Sequence, residues 1–262
     1  MGNTSIVRQN AQLLAAQIAK RCNDDFFTTF TTARWPSAKD GLCRLLVLDS
    51  SFNPPTKAHA ALLTTAISQY PPDHFDASLL LFSLRNVDKK LTGSTSLQRA
   101  QMMELMARQL QTKESQALRT IAVGLTSHGR FVDKAVHINK YFQQHFPTLQ
   151  LEMYFLMGYD TVTRLFNPMY YSETLEMALD PFFKQCYLVC ADRGGFDSSE
   201  VEEFWAGPVK AYADKIKRVS LGESLASLSS TAARSAVKND QNLDNLLDKD
   251  ILDFIHEEQI YL

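Results

Sequence analysis

Two short segments carry residue types suited to gripping an anion. The first, residues 49–59, reads Asp49-Ser50-Ser51-Phe52-Asn53-Pro54-Pro55-Thr56-Lys57-Ala58-His59. It follows the pattern of a buried strand and opens a helical one. Asn53, Pro54 and Pro55 make a rigid turn, and Thr56 and His59, three apart, share one face of the helix start. A helix N-terminus offers unpaired N–H groups and a partial positive charge, which suits phosphate. An imidazole there can contact a polyphosphate and stabilise charge building on a leaving group. The second segment, residues 228–234, reads Leu228-Ser229-Ser230-Thr231-Ala232-Ala233-Arg234. Ser229, Ser230 and Thr231 precede a helical run as N-caps do. Arg234 falls on the first turn, so hydroxyls, amides and a guanidinium converge on one spot. Taken alone, each segment also reads as an ordinary cap beside a surface histidine or arginine. Together they supply two helix N-termini that can face one crevice and grip one triphosphate.

The elements that must position them follow from the apolar pattern. Short apolar runs at 44–49, 77–84, 120–125, 149–157, 185–191 and, more weakly, 216–221 read as buried strands. Helical runs lie between them, at 58–69, 97–111, 131–145 and 172–180, and a last helix is expected over 243–258. This alternation predicts an α/β fold, a doubly wound parallel sheet with helices on both faces. In such sheets ligands bind at the carboxyl ends of the strands, near a switch in strand order. Residues 5–21 read as an amphipathic helix, and 23–41, with Pro36 and Gly41, as a connector. Residues 1–41 are therefore expected to form a helical extension and connector, and 42–262 the main domain.

Composition narrows the function classes. The 262-residue chain is 45% hydrophobic and 21% charged, with a formal net charge of −2. No basic stripe of the kind that tracks nucleic acid is evident. Cys22, Cys43, Cys186 and Cys190 form no C-x-x-C pair and no Cys/His ligand series, so no protein-held metal site is expected. Cys43, Cys186 and Cys190, in or beside apolar runs, read as reduced core thiols, which suits a reducing compartment. No apolar stretch approaches membrane-spanning length, and MGNTSI lacks the layout of a secretory signal or a myristoylation site. A cytoplasmic or nuclear protein without a membrane partner is the expectation.

SSFNPPTKAH closely resembles the GSFNP…(H/T)xxH signature of the nucleotidyltransferase superfamily. LSSTAAR resembles its ISSTxxR signature, in the form typical of nicotinamide mononucleotide adenylyltransferases. Met157-Gly158-Tyr159-Asp160 resembles the G-x-D element, Arg193 a later strand-end arginine, and the stretch ending at Tyr261 the last helix and terminal tyrosine. The resemblance covers roughly residues 44–262, and the first 40 residues look like an extension of a divergent fungal branch. It implies a Rossmann-like nucleotidyltransferase fold and transfer of the adenylyl group of ATP to nicotinamide or nicotinate mononucleotide. The resemblance further implies that no covalent intermediate forms, that pyrophosphate leaves and that Mg2+ accompanies the ATP. By matching positions, His59, Thr56 and Arg234 would serve catalysis. Ser51, Phe52, His59, Gly158, Asp160, Ser229, Ser230, Thr231 and Arg234 would hold ATP, with Asp160 accepting from ribose hydroxyls or binding through the metal. Ser51, Phe52, Lys89 or Lys90, Tyr171 (or Tyr170) and Arg193 would serve the acceptor. The oligomeric state is not implied.

Two positions depart from the family pattern. Ser50 stands where glycine is usual, which costs room beside a ligand. Thr126 stands where human-type relatives stack an aromatic ring on the nicotinamide. Adenylyl transfer to phosphopantetheine is a rival reading, disfavoured by Thr231 and Arg234, and cytidylyl transfer is another. A catalytically weak member that binds or hydrolyses ATP and acts through a partner is a reading of a different class.

Overall fold

A computed structural model describes residues 2–84, 93–192, 198–220 and 228–262. Lys89, Lys90 and Arg193 lie outside the described residues. The strands are β1 (Phe26–Thr31), β2 (Gly41–Asp49), β3 (Ala77–Ser83), β4 (Ile121–Thr126), β5 (Leu149–Gly158), β6 (Cys186–Asp192) and β7 (Ile216–Ser220). They form one sheet in the order β1-β4-β3-β2-β5-β6-β7. Every pairing is parallel except β1 with β4.

The strand order explains where a ligand must go. From β2 the chain winds outward through β3 and β4, then returns to the other side of β2 as β5 and winds on through β6 and β7. Neighbouring connections on either side of the β2/β5 boundary leave in opposite directions, which opens a crevice at the carboxyl ends of those two strands. Both faces of the sheet are covered. Leu46 and Leu48 of β2 pack under the helices Lys57–Ser68, Ser96–Leu110, Ser230–Lys238 and Lys249–Glu257. Cys43, Leu45 and Val47 face the helices Phe131–His145, Tyr159–Leu165 and Leu175–Phe183. The alternation is the period-2 pleat buried on both sides, which is why the strand reads as a continuous apolar run. Each fully buried leucine here contributes roughly 1.5–3 kcal/mol of transfer free energy. Cys43, Cys186 and Cys190 are buried free thiols, as expected, and burial pushes Cys43 up to about 12.

Three local expectations are corrected. The 23–41 stretch carries β1, an antiparallel edge strand, and Trp35 of the same stretch is buried, its indole N–H donating to the Ser78 carbonyl at 3.0 Å. The helix expected over 5–21 is two, Asn3–Gln9 and Ala11–Arg21, broken at Asn10. Over 243–258, helix forms at Lys249–Glu257; before it, the Asp244 N–H donates to Asn242 Oδ1 at 2.7 Å, an Asx turn that competes with helix.

Candidate functional site

The segment after β2 is shaped by its own side chains. The Ser50 N–H continues the ladder by donating to the Leu81 carbonyl at 3.1 Å. Phe52 then takes φ +44 while its ring is fully buried. A bulky residue in that region costs about 1–3 kcal/mol and persists where surrounding contacts over-determine it. Those contacts are present. Arg99 donates to the Ser51 carbonyl at 3.2 Å and to the Ser94 carbonyl at 3.2 Å. Asn53 Oδ1 accepts from Ser94 Oγ and from the Tyr261 hydroxyl, both at 2.8 Å.

Thr56 caps the helix Lys57–Ser68, and His59 stands at the third helical position of a capping box, where glutamate or glutamine is usual. The Thr56 N–H donates to His59 Nδ1 at 3.0 Å, Thr56 Oγ1 lies 2.9 Å from the same nitrogen, and Nε2 lies 3.0 Å from Ser50 Oγ. The Phe52 ring sits 5.1 Å from the imidazole, centroid to centroid. Thr56 and His59 are both buried, whereas Ser51 is exposed.

The second segment reaches the first directly. Ser229 caps the helix Ser230–Lys238 by accepting from the Ala232 N–H at 3.1 Å. Ser230 Oγ donates to the Pro54 carbonyl at 2.8 Å, and Arg234 Nη1 donates to the Asn53 carbonyl at 2.7 Å. Its Nη2 donates to Thr231 Oγ1 at 3.1 Å. The helix N-termini from 56–59 and 229–234 are thus stitched into one unit at the end of β2. Arg234 meets a carbonyl and a hydroxyl rather than a carboxylate, so its charge is not neutralised among the described residues. Burial, together with the nearby positive charge of Arg234, lowers Arg99 from the ordinary guanidinium value. Burial first of all raises Tyr261, so its hydroxyl stays a donor. Two cations and two helix N-termini converging beside an exposed serine make a surface suited to a polyanion.

Gly158 ends β5 across the β2/β5 boundary and caps the helix Tyr159–Leu165. A Cβ there would meet Asp160 Oδ1 at 2.9 Å, so glycine lets that exposed carboxylate fold back over the strand end. Tyr171 is half-buried, and its hydroxyl donates to the Leu165 carbonyl at 2.7 Å. Arg130 lies 5.9 Å over its ring. Thr126 Oγ1 donates to the Asp25 carbonyl and accepts from the His128 N–H at 3.2 Å.

Sequence reasoning missed Arg99, Ser94 and the buried pair of Lys134 with Asp49, all of which touch or adjoin the 49–53 loop. It also missed Asp25, His128 and His137, whose ligand-type atoms lie within 4.8 Å of one another. The two imidazoles stack in parallel, 4.1 Å apart and 8° between planes. His128 Nε2 lies 3.0 Å from Asp25 Oδ1 and His137 Nδ1 3.1 Å from Asp25 Oδ2. No local pattern signals this cluster, because its members come from three elements.

Comparison with known proteins agrees with this geometry. A 175-residue stretch is 29% identical to a Schizosaccharomyces pombe protein provisionally named a nicotinamide mononucleotide adenylyltransferase, covering 66% of this chain and 61% of that protein. The fold resembles Plasmodium falciparum nicotinic acid mononucleotide adenylyltransferase complexed with NaAD, at a TM-score of 0.59 and 17% identity, over 84% of this chain and 97% of the other. The same Plasmodium falciparum enzyme complexed with APC gives a TM-score of 0.56 at 16% identity, over 84% and 97% of the two chains. At such identities the likeness is one of fold. The family model for cytidylyltransferase-like proteins matches residues 47–234, a span that opens at the end of β2 and closes on Arg234, so both anion-gripping segments fall inside it, and the chain belongs to that family.

Proposed function

We propose that the protein transfers the adenylyl group of ATP to nicotinamide mononucleotide or its nicotinate form, releasing pyrophosphate. The observation that carries this reading is the stitching of the two helix N-termini by Arg234 on the Asn53 carbonyl and Ser230 on the Pro54 carbonyl. It makes one cradle of two anion-binding ends at the strand-order switch. In this reading Ser229, Ser230, Thr231 and Arg234 hold the β- and γ-phosphates, and Thr56 and His59 act on the phosphate chain where the leaving charge builds. Ser51 and Phe52 border the reacting centre and the acceptor phosphate. Gly158 and Asp160 border the adenosine across the crevice. Catalysis is positioning and charge stabilisation, with the acceptor phosphate attacking the α-phosphorus in line. The hard carboxylate oxygens of Asp160 are donors of the type that Mg2+ takes from a protein alongside phosphate oxygens, and that ion would neutralise phosphate charge. Lys89, Lys90 and Arg193 are proposed phosphate or acceptor contacts on sequence grounds.

The test is direct. The full chain is incubated with ATP, magnesium and each of nicotinamide mononucleotide, nicotinate mononucleotide and phosphopantetheine, and products are separated by chromatography. Dinucleotide and pyrophosphate in equal amounts, lost in His59→Ala and Arg234→Ala, are the expected result. Dinucleotide absent with both mononucleotides refutes the reading, whether phosphopantetheine is adenylylated or ATP is merely hydrolysed.

A further inference from the structure

The Ser50 side chain has a definite place. Its Oγ lies 3.0 Å from His59 Nε2. Which atom donates is settled at the other side of the ring. His59 Nδ1 receives the Thr56 backbone N–H at 3.0 Å. A backbone N–H can only donate, so Nδ1 holds a lone pair and the neutral ring carries its proton on Nε2. His59 therefore donates to Ser50, and Ser50 Oγ accepts. The serine keeps its own hydroxyl proton, which makes no hydrogen bond among the described residues. Exposure adds a direction: His59 is 8% exposed and lies beside the Phe52 ring, whereas Ser50 is half-buried at the end of β2. An anion entering the crevice from solvent meets the hydroxyl before it meets the imidazole.

We propose that His59 acts on the ATP phosphate chain through the Ser50 hydroxyl, which touches a phosphate oxygen while the His59 Nε2–H polarises it from behind. The chain of hydrogen bonds runs from His59 Nε2–H to Ser50 Oγ and from Ser50 Oγ–H to a phosphate oxygen. No proton is transferred and no bond to phosphorus forms with either residue. A hydroxyl that accepts one hydrogen bond becomes a stronger donor in the next. Ser50 is on this view a catalytic residue, and His59 a positioning residue that acts through it. The inference rests on the preceding reading for the identity of the anion, ATP, but not for the geometry of the relay.

The experiment compares Ser50→Ala, Ser50→Thr, Ser50→Gly, His59→Ala and the Ser50→Ala/His59→Ala double variant in the full chain. Dinucleotide formation gives kcat and the KM for ATP, and calorimetry gives the affinity for magnesium pyrophosphate. Removing one donor aimed at developing charge costs on the order of 10²–10³ in kcat. Ser50→Ala is expected in that range with a less than about threefold change in KM, and Ser50→Thr recovers most of the loss. The double variant falls no more than about threefold below the slower single variant, because the two groups act as one unit. A wild-type or higher rate in Ser50→Ala or Ser50→Gly overturns the proposal, as do losses that multiply. If the wild-type chain forms no dinucleotide, the preceding reading fails and the pyrophosphate measurement decides alone. Binding weakened about tenfold in Ser50→Ala and restored in Ser50→Thr sustains the relay, and equal binding in all three proteins overturns it.

Discussion

Lys134 and Asp49 form an ion pair whose side chains are 4% and 9% exposed, directly before Ser50. The Lys134 ammonium also lies 4.6 Å from the Phe131 ring centroid. Replacing Lys134 by methionine keeps the stem and removes the charge, which strands Asp49 in the floor of the crevice. Breaking a buried pair from one side costs about 3–5 kcal/mol. The expected loss, set by the burial of the pair, corresponds to roughly 6–20 °C in Tm for a chain of this size. The double variant Asp49→Leu/Lys134→Met leaves no stranded charge and should return to within about 1 kcal/mol of wild type, or exceed it. Urea unfolding at pH 7 followed by far-ultraviolet circular dichroism measures wild type and both variants. A single variant within 1 kcal/mol of wild type at pH 7, or a double variant no more stable than the single, refutes the reasoning.

Other perturbations probe the scaffold around the cradle. Tyr261→Phe removes the donor to Asn53 Oδ1 and Ser94 Oγ but leaves Asn53 satisfied by Ser94; a loss of about 1 kcal/mol in urea unfolding is expected, and none at all would deny that the chain end braces the loop. Gly124→Ala places a Cβ 2.6 Å from Phe26 Cε2 and 3.0 Å from Leu79 Cδ1; overpacking of about 1–3 kcal/mol should follow, and unchanged stability would mean that β1 does not sit on β4 as described. Burial first, and then the charge of His128, lowers His137 from its ordinary 6.5, so the folded state resists charging it and loses stability as pH falls below that value. His74 is lowered in the same direction by burial, and Asp25 is lowered from 3.8 mainly by its hydrogen bond to His128, a contribution lost in stronger acid. Thermal unfolding at pH 7.5 and 5.5 should therefore show a smaller acid-induced drop in His137→Asn than in wild type, and equal drops would count against the His137 contribution.

The fold was legible where burial on both faces makes a strand a plain apolar run. Residues 44–49, 77–84 and 149–157 read as strands for that reason and are β2, β3 and β5. β1 was not legible as part of the sheet. Phe26-Phe27-Thr28-Thr29-Phe30-Thr31 has the aromatic and β-branched composition of a strand. It is short, however, pairs on one side only, and lies in a stretch that also holds Pro36 and Gly41. Its partner β4 is 91 to 100 residues away, as the Thr31–Ala122 and Phe26–Thr126 registers show, and no local pattern reports such a pairing. The break at Asn10 was a visible signal passed over, since asparagine competes with helical hydrogen bonding through its own side chain.

For the site, the two segments themselves were legible because helix caps are local chemistry, written in residues three or four apart. What holds them was not. Arg99 reaches Ser51 across 48 positions, Tyr261 reaches Asn53 across 208, and Arg234 reaches Asn53 across 181. The strained backbone at Phe52 requires such distant restraint, because a buried ring at positive φ is not a conformation that its neighbours in sequence can impose. The same holds for Ser50. Read as a letter it is a glycine position filled by a larger residue, a loss of room and nothing more. Its hydrogen-bonding role exists because the capping box commits His59 Nδ1 to a backbone donor and thereby turns the Nε2 proton toward the strand end. The local motif sets the tautomer, and the tertiary fold decides what that proton meets.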